Sequence, residues 1–188
     1  GYREVYDIIA PILEKKGVPA CFFINPAFID NKTLFYRCKI SLLIDELLKN
    51  KNNDSFLQLF HDLAGIEKRS VKATILFLKA INTDNAILLD KIAEKIGFSF
   101  EGFLNTTQPF LSQNQVKSLH GRGFAIGAHS IDHPYFQLIT LKEQIEQVAG
   151  SCRYVNELLG TSNCCFSFPH SDRGLSQELF NELGALNI

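Results

Sequence analysis

Residues 18–24, Val-Pro-Ala-Cys-Phe-Phe-Ile, are apolar without interruption. A strand with one wet face alternates polar and apolar residues, because successive side chains point to opposite faces. An unbroken run instead fits a strand covered on both faces, as in a parallel α/β sheet. Ahead of it, Val5, Ile8, Ile9, Ile12 and Leu13 draw one stripe along a helix, flawed only by Pro11. Lys15-Lys16-Gly17 closes that helix with positive charge and a residue free to turn left-handed. Helix, short turn and buried strand make half of a βαβ unit, whose first strand is expected upstream of Gly1.

The same alternation returns near residue 112. Residues 112–122 read as a helix opened by Ser112, and 124–129, Phe-Ala-Ile-Gly-Ala-His, as a strand. Residues 141–159 make a long amphipathic helix, with Thr140 and Glu143 spaced as a capping box and Gly160 as its stop. A third strand is expected over 164–169 and a further helix over 176–183. From about 39 to 103 the pattern is different: helices over 40–48, 54–63, 71–78 and 84–96, punctuated by Asn50, Asn52, Asn53, Asp54 and Gly65. The chain therefore reads as one α/β domain over 1–188, interrupted by a helical insertion.

Composition excludes several classes. With 188 residues, 46% apolar and 21% charged, the chain can bury a core and is not disordered as a whole. Lys and Arg number 19 against 20 Asp and Glu, so no basic excess exists to neutralise a phosphate backbone, and nucleic acid is set aside as a partner. No run reaches the ~18–20 apolar residues of a membrane span. The absence of Met leaves no initiator, and a processed or cut piece is expected. The five cysteines are odd in number and form no CxxC pair, so they read as free thiols, Cys21 and Cys165 packing as small hydrophobes in apolar runs. That favours a cytoplasmic setting slightly and leaves an extracytoplasmic one open. Oligomeric state is not legible.

The residues that could carry chemistry lie at strand ends. His129-Ser130-Ile131-Asp132-His133-Pro134 follows the strand over 124–129, where α/β folds keep their sites. Two imidazoles four residues apart converge on one ion if the segment turns helically, and neutral nitrogens suit Zn²⁺ and similar metals. Structural histidines in a turn would give the same spacing. Asp132 reads foremost as a helix-cap residue, with ligand and ligand-orienting roles open. The next strand ends in Phe168-Pro169-His170-Ser171-Asp172-Arg173-Gly174, which is expected to approach the histidine pair. His170 and Asp172 could orient substrate or ligands there, or form a polar turn closed by Gly174. His61 and His120 read as structural.

Several of these segments together resemble a known family. Gly127-Ala-His-Ser-Ile-Asp-His-Pro134 is similar to the H-[ST]-x-x-H-P motif of the polysaccharide deacetylases, the NodB-homology or carbohydrate esterase family 4 group. Gly1-Tyr2, the helix after it and Lys16-Gly-Val-Pro-Ala-Cys-Phe-Phe23 resemble the family's opening, and Phe166-Ser-Phe-Pro169 its F-A-[YF]-P strand. The resemblance implies a distorted (β/α) barrel, here with a helical insertion, that binds a divalent metal, commonly Zn²⁺, and hydrolyses N-acetyl groups of a carbohydrate. His129 and His133 match the two histidine ligands. The family's third ligand and general base are adjacent aspartates expected upstream of Gly1, and neither role is carried over to Asp7 or Asp30. The family's acid histidine is expected beyond Ile188. His170 stands where a backbone N–H contacts the oxyanion, although His-Ser-Asp replaces the usual Y-G, and Asp172 is a substrate-binding candidate. A chain without base and acid is expected to have little activity; the alternative is an inactive, glycan-binding deacetylase-like module.

Overall fold

A computed structural model describes residues 1–64, 70–82, 85–186 and 188. It divides into two compact units, one of Gly1–Thr33 with Thr107–Ile188 and one of Leu34–Thr106. The turn expected at Gly65 and the helix start expected at Asp84 lie outside the described residues.

The first unit begins with the stripe around Pro11. In a continuous α-helix a proline removes one donor and its ring strikes the carbonyl four residues back. Here Val5–Ile9 winds as a π-helix, in which Ala10 N–H reaches the Val5 carbonyl, and α1 (Ala10–Lys16) starts with Pro11 in its first turn, where the missing N–H costs little. Gly17, at φ +64°, ends α1.

Strand β1 (Cys21–Ile24) pairs in parallel with β2 (Ala125–Ala128), in register from Cys21 against Ala125 to Ile24 against Ala128. Between them α7 (Gln113–Gly121) opens with a capping box, in which Ser112 and Gln115 satisfy each other's backbone N–H, and leads into β2. Helix α8 (Leu141–Leu159) has the same device at Thr140 and Glu143, ends at Gly160 in the left-handed region, and packs on β2 and on α9 (Gln177–Ala185). Ile24, Ala128, Leu119, Val148, Phe136 and Leu179 are buried together in its core.

Three expectations need correction. The run over 164–169 does not form a full strand: it touches the sheet through a single bridge, Phe166 against Ala128. Cys165 O accepts from Ala128 N–H at 2.8 Å and Ser167 N–H donates to Ala128 O at 3.0 Å. Beyond that, the Ser167 carbonyl is taken by a side chain and Pro169 has no N–H, so the ladder has nothing to continue with. Cys21 and Cys165 are also exposed rather than packed inside, whereas Cys152 is buried. Burial rises along β1 from exposed Cys21 to fully buried Ile24, so covering on both faces holds only toward the carboxyl end.

Among its described residues the regular elements of the second unit are helices: α2 (Tyr36–Lys49), α3 (Asp54–Ala64), α4 (Val71–Ala80), α5 (Ile87–Lys95) and most of α6 (Phe100–Thr107). Leu43, Leu47, Phe60, Leu78, Leu89 and Ile92 form its core. Lys39 Nζ meets Asp90 Oδ1 at 2.6 Å, tying α2 to α5. His61 is buried here with Nε2 3.3 Å from Thr74 Oγ1.

Candidate functional site

His129 follows β2 directly, and its N–H continues the ladder to the Ile24 carbonyl at 2.9 Å. The imidazole therefore stands at the carboxyl end of the parallel pair, where ligand sites of α/β sheets gather. The chain does not turn helically after it, as the four-residue spacing anticipates. It bends twice through the left-handed region, at Ser130 (φ +67°) and His133 (φ +66°). Such conformations cost non-glycine residues ~1–3 kcal/mol each and persist where surrounding bonds impose them.

Those bonds come from several elements. Ser130 is fully buried, and its Oγ accepts the His133 N–H at 3.0 Å. Asn25, at the end of β1, donates its side-chain N–H groups to the His129 carbonyl and, at 3.1 Å, to the Ser130 carbonyl. Ala27 N–H donates to Ile131 O at 3.1 Å. From α8, Gln147 Oε1 accepts from Ile131 N–H at 2.8 Å, and its Nε2 donates to Asp132 Oδ1 at 2.9 Å. Asp132 is thus a tethered, exposed carboxylate and not a helix cap, because no helix starts there.

The result is a row of rings. His129 and His133 stand edge to face with centroids 4.8 Å apart, His133 and His170 likewise at 4.7 Å, and His170 stacks on Tyr135 at 3.9 Å with an 8° tilt. The His129 ring is oriented by the Ser167 carbonyl, 2.7 Å from Nδ1. A carbonyl can only accept, so Nδ1 carries the proton and Nε2 keeps its lone pair. Burial holds the His129 pKa below the ordinary imidazole value, against the opposing pull of the Ser167 bond. The Ser167 bond leaves Nδ1 as the protonated nitrogen, and the lowered pKa favours the neutral form of the ring.

His170 itself is exposed and sits at φ +61°, bracketed by a bond from Ser171 N–H to Pro169 O at 2.7 Å. A three-residue turn of that hand is rare and strained. Gln137 holds it from outside, its Nε2 donating to the carbonyls of Ser171 at 3.0 Å and Arg173 at 2.9 Å. Asp172 is exposed on the same loop, its carbonyl accepting from Leu175 N–H at 3.2 Å. The structure brings His129, His133 and His170 into ring contact and leaves the Asp172 carboxylate outside that row.

Sequence reasoning missed Tyr135, Asn25 and Gln147. Tyr135 follows the histidine motif directly and could have been noted as an aromatic neighbour. Asn25 reads only as a strand boundary, and Gln147 as one polar residue of a helix. The two aspartates left without a role are engaged elsewhere: Asp7 pairs with Arg3 at 3.3 Å, and Asp30 accepts from Gln113 N–H at 2.9 Å and from its Nε2 at 2.6 Å.

No group of three His, Cys, Asp or Glu that could hold a metal ion occurs among the described residues, and the histidine pair offers two nitrogen donors there. Its nitrogen donors and second-neighbour carbonyl still match what Zn²⁺-class ions take. Among the described residues no helix is long and apolar enough to cross a membrane. Searches of curated proteins and of solved structures find no match. The family model described as polysaccharide deacetylase matches residues 1–187, and with that span covered the chain belongs to the polysaccharide deacetylase family.

Proposed function

We propose that this chain carries the metal-binding and substrate-facing part of a site that removes N-acetyl or related acyl groups from a carbohydrate. The observation that supports it most is the orientation of His129. An imidazole with its Nδ1–H given to the Ser167 carbonyl and its ring in edge-to-face contact with a second imidazole is the kind of arrangement in which histidines ligate divalent metals. His129 and His133 would hold the ion, Zn²⁺ by preference of the donor set. When bound, it would supply Lewis-acid polarisation of the acyl carbonyl and an acidified water.

The chain's own residues do the rest. In this reading the backbone N–H of His170 meets the oxygen that gains negative charge, and the turn closed by Ser171 N–H on Pro169 O restrains that stretch of backbone. The Tyr135–His170 stack gives a flat face to a sugar ring, and the exposed Asp172 carboxylate accepts from sugar hydroxyls. We read the two parallel strands and the Phe166 bridge as part of a distorted (β/α) barrel. Among the described residues no general base, third ligand or acid is assigned, and a pair of histidines is expected to bind metal weakly. One observation favours a second reading, a glycan-binding module without hydrolysis: among the described residues the pair has no third ligand.

The test is a Zn²⁺ titration followed by the histidine ring signals in NMR, then addition of an N-acetylated oligosaccharide with assay for released amine. Zn²⁺ is expected to shift His129 and His133 together, weakly and saturably, and not in His129→Ala. The saccharide is expected to shift Tyr135 and His170. A Zn²⁺ titration that moves neither ring overturns the metal site, and tight stoichiometric binding overturns the two-ligand set. Amine release above the His129→Ala background selects hydrolysis over the binding module.

A further inference from the structure

We infer that Gln147 of α8 is a positioning residue that sets the geometry of the histidine pair by gripping the loop between them, an inference that rests on reading His129 and His133 as metal ligands. Both ends of its amide are spent on the two middle residues of that loop. Oε1 accepts from Ile131 N–H at 2.8 Å and, more loosely, from Asp132 N–H at 3.4 Å; Nε2 donates to Asp132 Oδ1 at 2.9 Å. These partners also fix which way the amide faces, since N–H groups need the oxygen and a carboxylate needs the nitrogen. Gln147 is held in turn by a 19-residue helix capped at both ends and packed on β2, a rigid base for a loop that bends twice through left-handed backbone.

Two further features fit a designed seat for the loop. Gly150 lies three residues on, and a Cβ there would stand 2.9 Å from Ile131 Cδ1, so its bareness lets the loop approach the helix. Asn25 grips the carbonyls of His129 and Ser130 on the other half of the loop. Asn25 thus restrains the loop where it leaves β2, and Gln147 restrains it where it must bring His133 back toward His129. The same geometry gives Asp132 the role of a tether, with one carboxylate oxygen committed to Gln147.

The test uses the whole chain with three variants: Gln147→Ala, Gln147→Glu, and Gln147→Glu combined with Asp132→Asn. Two quantities are read: Zn²⁺ affinity from the histidine ring signals, and hydrogen exchange of the Ile131 amide. Gln147→Ala is expected to weaken Zn²⁺ about tenfold and to speed Ile131 exchange about tenfold, the size of one lost part-buried hydrogen bond. Gln147→Glu sets a carboxylate against Asp132 and is expected to weaken Zn²⁺ similarly. The double variant restores the pairing with donor and acceptor exchanged, while the introduced carboxylate still accepts from Ile131 N–H; both readouts are expected to return to within about threefold. The latter two are isosteric with the native pair, so they decide the matter if Gln147→Ala does not fold. Ile131 exchange unchanged in Gln147→Ala, or a double variant as weak as Gln147→Glu, overturns the inference. A wild type whose rings ignore Zn²⁺ overturns the metal reading instead, and Ile131 exchange then decides whether Gln147 holds the loop.

Discussion

Gly127→Ala would strike the sheet and the site at once. A Cβ on Gly127 would stand 2.6 Å from two ring carbons of Phe23 and 2.7 Å from the Cys165 carbonyl oxygen, distances that real Cβ atoms essentially never show. Phe23 is only half-buried and could swing its ring away, but Cys165 O is backbone and already accepts from Ala128 N–H at 2.8 Å. Relief therefore requires the 165–167 segment to move off β2. Overpacking of this kind costs ~1–3 kcal/mol, and the upper half applies because one clash partner cannot rotate away. Ser167 moves with that segment, so the 2.7 Å bond that orients His129 is lost with it. Urea unfolding should show a lower midpoint with an unchanged slope. In folded protein the ¹⁵N spectrum of His129 should lose the signature of one fixed tautomer. Adding Phe23→Leu should recover only part of the stability. A Gly127→Ala chain within about 0.5 kcal/mol of wild type, with the His129 tautomer intact, would refute the argument that close approach here holds the site together.

Other consequences are more local. Thr140→Ala removes the cap of α8, where the hydroxyl accepts from Glu143 N–H, and should cost ~0.5–2 kcal/mol by urea denaturation; no loss would mean the capping box contributes nothing to that helix. Ile92→Ala empties a fully buried position in the helical unit and should cost ~2–5 kcal/mol, seen as a lower thermal midpoint. Arg122 grips Glu14 with two bonds of 2.6 Å and holds its carboxyl below the usual glutamate value. A depressed carboxyl stabilises the fold above its unfolded pKa and loses that contribution as pH falls through the folded one. In Arg122→Gln the Glu14 titration, followed by side-chain ¹³C shifts, should move up toward the ordinary glutamate value; a titration that stays where it was would show the pair to be inert.

What the sequence makes legible follows from the range of the forces involved. Helix ends rest on contacts three residues apart, so Ser112, Thr140, Glu143 and Gly160 are readable as caps and stops without any tertiary knowledge. Continuous apolar runs likewise mark β1 and β2. The third run failed because its composition matches a strand while its partners do not: Ser167 gives its carbonyl to a histidine and Pro169 has no donor. The missing donor of Pro169 is readable in the sequence, but the capture of the Ser167 carbonyl by His129 is visible only once the chain is folded. The site divides in the same way. His129 and His133 are found by spacing, and the approach of His170 follows from the order of the strands. Yet the loop reaches its shape through two left-handed residues and not the expected helical turn, because Asn25 and Gln147, from elements more than ten residues away, supply bonds that a local helix would have satisfied internally. A residue that acts by accepting two backbone N–H groups leaves no pattern of its own in the chain. The reading of such a protein therefore locates reactive groups better than it locates what holds them, and the holding residues are where substitutions should be made first. For this chain that directs attention to three residues without a reactive group: Asn25 and Gln147, which hold the loop between the two histidines, and Gly127, which admits the segment whose Ser167 carbonyl orients the His129 ring.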